Sequence, residues 1–124
     1  MGERTVEYAQ LVDEFRCCST ESLHAVREEA VREQRWWRVR ELAATLVLDE
    51  RGRVDDSLAA TDGVSLRDVR ETRETARALG QLPAIADAAA RGELSDQQLV
   101  AVTRLADPET DREWAQKATG CATG

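Results

Sequence analysis

The amino-acid sequence predicts an all-α fold: an irregular bundle of five to six helices with one long helix and an embedded helix-turn-helix-like corner. Apolar residues recur at three- and four-residue spacing, and the alternation typical of a half-buried strand is scarcely visible. Only two of the 124 residues are proline and seven are glycine, so long segments contain no helix breaker. Residues that favour helix starts stand at Ser19, Ser65, Ser95 and Asp107. A chain of this length can bury one modest core, which predicts a single helical domain over residues 1–124.

Two helices are predicted in the first part of the chain. The first covers about residues 5–16, where the apolar side chains form one stripe, made of Tyr8, Leu11, Val12 and Phe15. Ser19 or Thr20 caps the second helix, which covers about residues 19–48 and would be about 45 Å long at a rise of 1.5 Å per residue. This length exceeds what one small core needs, so we expect part of the long helix to meet another chain or another domain.

A helix-turn-helix-like corner is predicted over about residues 57–79. Ala59, Gly63 and Val69 occupy the small, turn and inward-facing positions of that motif. Gly63 suits the turn because a left-handed backbone strains other residues, and we expect it at positive φ. The two helices should cross steeply, with Leu58 in contact with Val69.

The second helix of this corner carries the predicted DNA-binding residues on its outer side. These are Ser65, Arg67, Arg70, Arg73 and Arg77. Such side chains meet phosphates and base edges when a helix of this kind docks on duplex DNA, and Arg67, Arg70 and Arg73 are expected to be exposed to solvent. Glu71 and Glu74 invite intrahelical ion pairs instead, so a purely structural corner remains the alternative.

Three shorter helices are predicted over about residues 83–118. Pro83 fits the first turn of a helix that ends near Ala90 and is closed by Gly92. Ser95 and Gln98 have the spacing of a capping box for the next helix. Asp107-Pro108 is expected to start the last helix, which Thr119-Gly120 stops.

Arginine and tryptophan alternate in the middle of the long helix. Arginine stacked on indole can bind single-stranded nucleic acid. However, neighbouring residues on a helix point about 100° apart. We therefore expect one of Trp36 and Trp37 to belong to the core and the other to an adjoining helix or subunit. The predicted interface residues are Trp36, Trp37 and Val39.

Charge and residue inventory predict no catalytic site. The net charge is −7, from 24 acidic and 17 basic residues, which opposes non-specific binding to nucleic acid. His24 is the only histidine, and no zinc spacing, phosphate-binding glycine loop or nucleophile elbow occurs, so neither a metal nor another cofactor is expected.

No membrane-spanning run or signal peptide is seen, and the three cysteines are expected to be reduced, which predicts a cytoplasmic protein.

Several short motifs recur in a known family: Gly63-Val64-Ser65, Ala76 to Leu79 with Leu82-Pro83, Gly92 to Ser95, and Asp107 to Thr110. Through these motifs the segment from Gly63 to Ala118 resembles the N-terminal domain of actinobacterial HNH-endonuclease-type proteins, the domain of unknown function 222 family. The preceding part, from Tyr8 through the arginine–tryptophan helix, is similar to that family's opening, so the resemblance covers most of the chain. In that family a C-terminal HNH module would cut DNA with histidines and an asparagine. This chain has one histidine and no asparagine, so none of those nuclease residues can be carried over.

The resemblance thus implies a non-catalytic helical accessory domain that binds double-stranded DNA. The alternative is a homodimerisation or protein-interaction module, paired through the long helix, with no nucleic-acid contact.

Overall fold

The computed structural model describes residues 7–54, 63 and 65–121, and it confirms the all-α fold. These residues form six helices and no strand. The helices are α1 Tyr8–Arg16, α2 Thr20–Glu50, α3 Leu66–Leu79, α4 Pro83–Ala90, α5 Asp96–Leu105 and α6 Asp111–Cys121. The first helix of the predicted corner, with its expected contact between Leu58 and Val69, lies outside the described residues.

The chain divides into two compact units, Met1–Val31 and Arg32–Gly124. In the first unit, Ser19 caps α2, because its hydroxyl accepts a hydrogen bond from the backbone N–H of Ser22 at 3.1 Å. Helix α1 buries none of its residues completely: Tyr8 is exposed, and Val12 and Phe15 are half-buried.

The second unit holds the hydrophobic core. Its centre is formed by Leu42 of α2 and Ile85 of α4, whose side chains are fully buried. Helix α4 packs mainly on α6, and α3 packs mainly on α5. The other buried members of the core come from α3 to α6 and their connections: Ala76, Leu82, Ala88, Ala89, Leu94, Leu99, Val102 and Ala115.

Most predicted helix ends are confirmed by their hydrogen bonds. Ser95 and Gln98 form the capping box, with the Gln98 N–H donating to the Ser95 hydroxyl at 3.1 Å and the Ser95 N–H donating to the Gln98 side chain at 2.9 Å. Gly92 has a φ of 75° and ends α4 in a left-handed cap. Gly63 has a φ of 68°, so the predicted left-handed turn residue is confirmed.

Four predicted boundaries are wrong by a few residues. Helix α1 begins at Tyr8 instead of near Thr5, and α6 continues to Cys121 instead of stopping at Thr119-Gly120. Helix α2 continues to Glu50 instead of ending near Leu48. Helix α6 begins at Asp111, because the Asp107 carboxylate accepts the backbone N–H groups of Glu109 and Thr110, each at 2.9 Å, in a turn that precedes the helix.

Candidate nucleic-acid interface and the outer face of α2

Helix α3 begins at the predicted cap. The Ser65 hydroxyl accepts a hydrogen bond from the Asp68 N–H at 3.1 Å. This is the bond by which an N-cap residue satisfies an otherwise unpaired amide. Ser65 therefore has a local structural role, and its side chain is exposed.

Arg67 and Arg70 form the open part of the predicted DNA-binding face. Both are exposed, and neither makes an ion pair with any residue that the structure describes. They lie in the first half of α3, next to the acidic side chain of Asp68 in the first turn. This pair of guanidiniums is available to an anionic partner.

Arg73 and Arg77 differ from Arg67 and Arg70 because both form ion pairs within the protein. Both bind the carboxylate of Asp49 on α2: the Arg73 Nε lies 2.8 Å from Asp49 Oδ1, and the Arg77 Nη2 lies 3.0 Å from the same oxygen. Arg77 also donates from Nε to the second carboxylate oxygen. Arg73 is half-buried as a result, although it was expected to be exposed. The physical reason is the length of α2, since its last turn brings Asp49 against α3.

The ion pairs of Asp49 with Arg73 and Arg77 change the pKa values of the groups involved. The hydrogen bond from Arg77 is the main cause that lowers the pKa of the Asp49 carboxyl; burial opposes it, and the charge of Arg73 assists. Asp49 in turn raises the pKa of Arg77. Because the folded-state pKa of the carboxyl is lowered, its contribution to stability is present above the ordinary carboxyl pKa and disappears as the pH falls through the lowered value.

Arg38 joins three helices, and its role was not predicted from the sequence. Its guanidinium donates to Glu41 on its own helix at 2.7 Å, to Asp96 of α5 at 2.8 Å and to Thr72 of α3 at 3.2 Å. Burial alone would lower the pKa of Arg38, but the bonds to Glu41 and Asp96 outweigh that effect and raise it. Its position four residues before the buried Leu42 is the sequence signal that could have placed it on the inward side.

The opposite side of α2 is exposed and largely apolar. We call it the outer face; it consists of Glu33, Trp36, Trp37, Arg40, Ala44, Val47 and Leu48 of α2 and of Arg51, which directly follows the helix, all of them exposed. Trp37 retains 62% of its accessible surface and Trp36 retains 43%. The guanidinium of Arg40 lies over both indoles, 5.2 Å from the Trp37 ring centroid and 5.9 Å from that of Trp36.

The two tryptophans therefore differ from the sequence-based expectation, which placed one of them in the core. Val39 takes the inward position instead: it is half-buried and packs against the core cluster. The inward side of α2 is already occupied by Val39, Leu42 and Leu46, so neither indole can reach the core.

Side chains that could bind a metal ion are not clustered in the part of the chain that the structure describes. Among the described residues, no group of three or more His, Cys, Asp or Glu side chains is arranged to hold a metal ion. His24 is exposed, and Cys17 and Cys18 are exposed free thiols. None of the helices in the described ranges has both the length and the apolar character needed to cross a membrane.

Comparison with known proteins adds no relative: no family model, curated protein or solved structure matches the chain significantly. The association with HNH-endonuclease-type proteins therefore stays a prediction from the sequence.

Proposed function

We propose that this chain is a non-catalytic helical module that self-associates through the outer face of α2. The observation that carries the proposal is the exposure of four large apolar side chains on one side of one helix: Trp36, Trp37, Val47 and Leu48 retain between 38% and 62% of their surface. Large apolar side chains that are grouped on one side of a helix, rather than scattered singly, mark an interaction surface.

Tryptophan supports this assignment because it contributes more to binding energy than most residues when it is desolvated at the centre of an interface. Arg40 is adjacent to both indoles and carries the one charge in the middle of the patch, while Glu33 and Arg51 lie at its two ends. Aromatic residues and arginine are enriched in protein–protein interfaces, whose rim is polar.

The first test is the effect of Trp37→Asp on self-association. Sedimentation equilibrium of the unaltered chain should show a concentration-dependent dimer. Loss of this tryptophan should raise the dissociation constant at least about tenfold, which corresponds to ~1.4 kcal/mol.

The matched control is Leu105→Asp on α5. Leu105 retains 62% of its surface, the same fraction as Trp37, but it lies outside α2. The control should leave the dissociation constant unchanged. A strictly monomeric mass at every concentration, or equal effects of the two substitutions, would contradict the proposal.

A second candidate function is contact with duplex DNA, which the resemblance to HNH-endonuclease-type proteins implies. The specific observation in its favour is that Arg67 and Arg70 are exposed and unpaired within the described residues. The net charge of −7 and the sharing of one carboxylate by Arg73 and Arg77 reduce the positive charge that this face can present.

Replacing Arg70 by alanine tests this candidate. If Arg70 contacts phosphate, retention of duplex DNA should weaken equally for all sequences, and the slope of affinity against salt concentration should fall by about one. Arg112→Ala on α6 removes the same charge from an exposed arginine on another helix and serves as control. Absence of retention at low salt, or equal loss in both variants, would exclude DNA contact through α3.

A further inference from the structure

We infer that the outer face of α2 pairs with the outer face of a second copy in the antiparallel direction, so that Glu33 of each copy faces Arg51 of the other. This inference rests on the proposed self-association and specifies the geometry of the partner.

The spacing of the outer face is that of a coiled-coil seam. Six of its residues follow one another in alternating steps of four and three: Glu33, Trp37, Arg40, Ala44, Val47 and Arg51. Such a spacing keeps side chains on one line along a helix that winds around a partner. The first and last members are about 27 Å apart at a rise of 1.5 Å per residue, and all six are exposed.

Side-chain size favours the antiparallel direction. One half of the seam is bulky, with Trp37 and Arg40 side by side, and the other half is small, with Ala44 and Val47. Antiparallel pairing places each bulky side chain opposite a small one: Trp37 meets Val47 of the second copy, and Arg40 meets Ala44. Interdigitation of large with small side chains is what fills a helix–helix contact without voids.

Charge favours the same direction and sets the register. In this arrangement Glu33 and Arg51 form an ion pair at each end of the seam. Neither residue has an ion-pair partner among the described residues, so both are available. Parallel pairing in register would instead place each charged residue of the seam opposite the same residue of the second copy. This would create three like-charge contacts, at Glu33, Arg40 and Arg51, which oppose association.

Arg40 is the one charged side chain near the centre, and its environment fits this arrangement. Its guanidinium lies within 5.9 Å of both indole centroids, so the aromatic faces partly compensate the charge when water is excluded. The small side chain of Ala44 opposite it leaves space for the arginine to extend toward the edge of the contact.

A charge exchange in the full chain tests the register. E33R and R51E should each raise the dimer dissociation constant about tenfold, because each creates two like-charge contacts per dimer where two ion pairs stood. The double substitution E33R/R51E should restore the dissociation constant to within about threefold of the unaltered chain, because it exchanges the charges and keeps the pairs. Glu74→Arg on α3 reverses an exposed acidic residue away from the seam and should have no effect.

The outcomes separate this inference from the function on which it rests. Rescue by the double substitution supports the antiparallel register. A dimer that both single substitutions weaken and the double substitution does not rescue would overturn the register, since neither a parallel pair nor an antiparallel pair shifted by seven residues joins Glu33 to Arg51. A dimer that no substitution in this set affects would overturn it as well, while self-association would stand. Absence of a dimer in the unaltered chain would remove the proposed function itself. Circular dichroism of each variant verifies that it is folded.

Discussion

Asp111→Ala is expected to lower the free energy of unfolding by about 2–4 kcal/mol, because it removes the acceptor for two amides at the start of α4. The Asp111 carboxylate accepts the backbone N–H of Ala84 at 2.7 Å and that of Ile85 at 2.9 Å. Pro83 has no N–H, and Leu82, which precedes it, provides no side-chain cap. Helix α4 is therefore capped by a residue of another helix, and its negative charge also complements the helix dipole.

Burial makes this cap difficult to replace. Asp111 retains only 5% of its accessible surface, and Ile85 retains none. Water cannot easily take the place of the carboxylate, so both amides would lose their partner, and each unsatisfied buried donor costs about 1–3 kcal/mol. Asp111→Asn should cause a smaller loss, because the amide oxygen can still accept a hydrogen bond.

The measurement is urea unfolding followed by circular dichroism, and Asp107→Ala is the matched control. Asp107 also accepts two backbone N–H groups, from Glu109 and Thr110, but it is exposed. Water can hydrate those amides after the substitution, so the loss should stay near 1 kcal/mol. Equal losses for the two substitutions would show that the cap on α4 has no special role.

Features that depend on short stretches of chain were predictable from the sequence. Ser19, Ser65 and the Ser95–Gln98 capping box each act on an amide three residues away, so residue type and spacing determine the outcome. The left-handed Gly63 belongs to the same class. The fold class followed from helical periodicity along the whole chain.

Features that depend on how helices meet were not predictable. Asp49 is close to Arg73 and Arg77 only because α2 runs two residues past its expected end and lies against α3 in its last turn. The sequence contained acidic residues next to these arginines, and Glu71 and Glu74 were the plausible partners. In the structure, Glu71 is instead 3.7 Å from Arg104 of α5. For Arg73 and Arg77, the neighbouring acidic residues in the chain were thus a poor guide to the ion-pair partner.

The position of the tryptophans shows the same limit. The sequence indicated that Trp36 and Trp37 point in different directions, but not which side of α2 faces the core. The side of α2 that faces the core is determined by the neighbouring apolar residues, since Val39, Leu42 and Leu46 occupy the inward side. Both indoles are left outside, and the surface that supports the proposed function follows from this arrangement.

Leu42→Ala is expected to lower the free energy of unfolding by about 2–5 kcal/mol. Leu42 retains 1% of its surface, and within the described part of α2 it is the one residue that is completely buried. Its removal would leave a cavity lined by the core residues of other helices and would weaken the attachment of the second half of α2.

Leu105→Ala removes the same atoms from a side chain that is 62% exposed and should change the free energy of unfolding by less than ~1 kcal/mol. Unfolding should be followed at a chain concentration below the dimer dissociation constant, so that mass action does not add to the measured stability. If Leu42→Ala has no larger effect than Leu105→Ala, the second half of α2 does not depend on this contact. A large loss confined to Leu42→Ala would show that this side chain anchors the second half of α2 to the core.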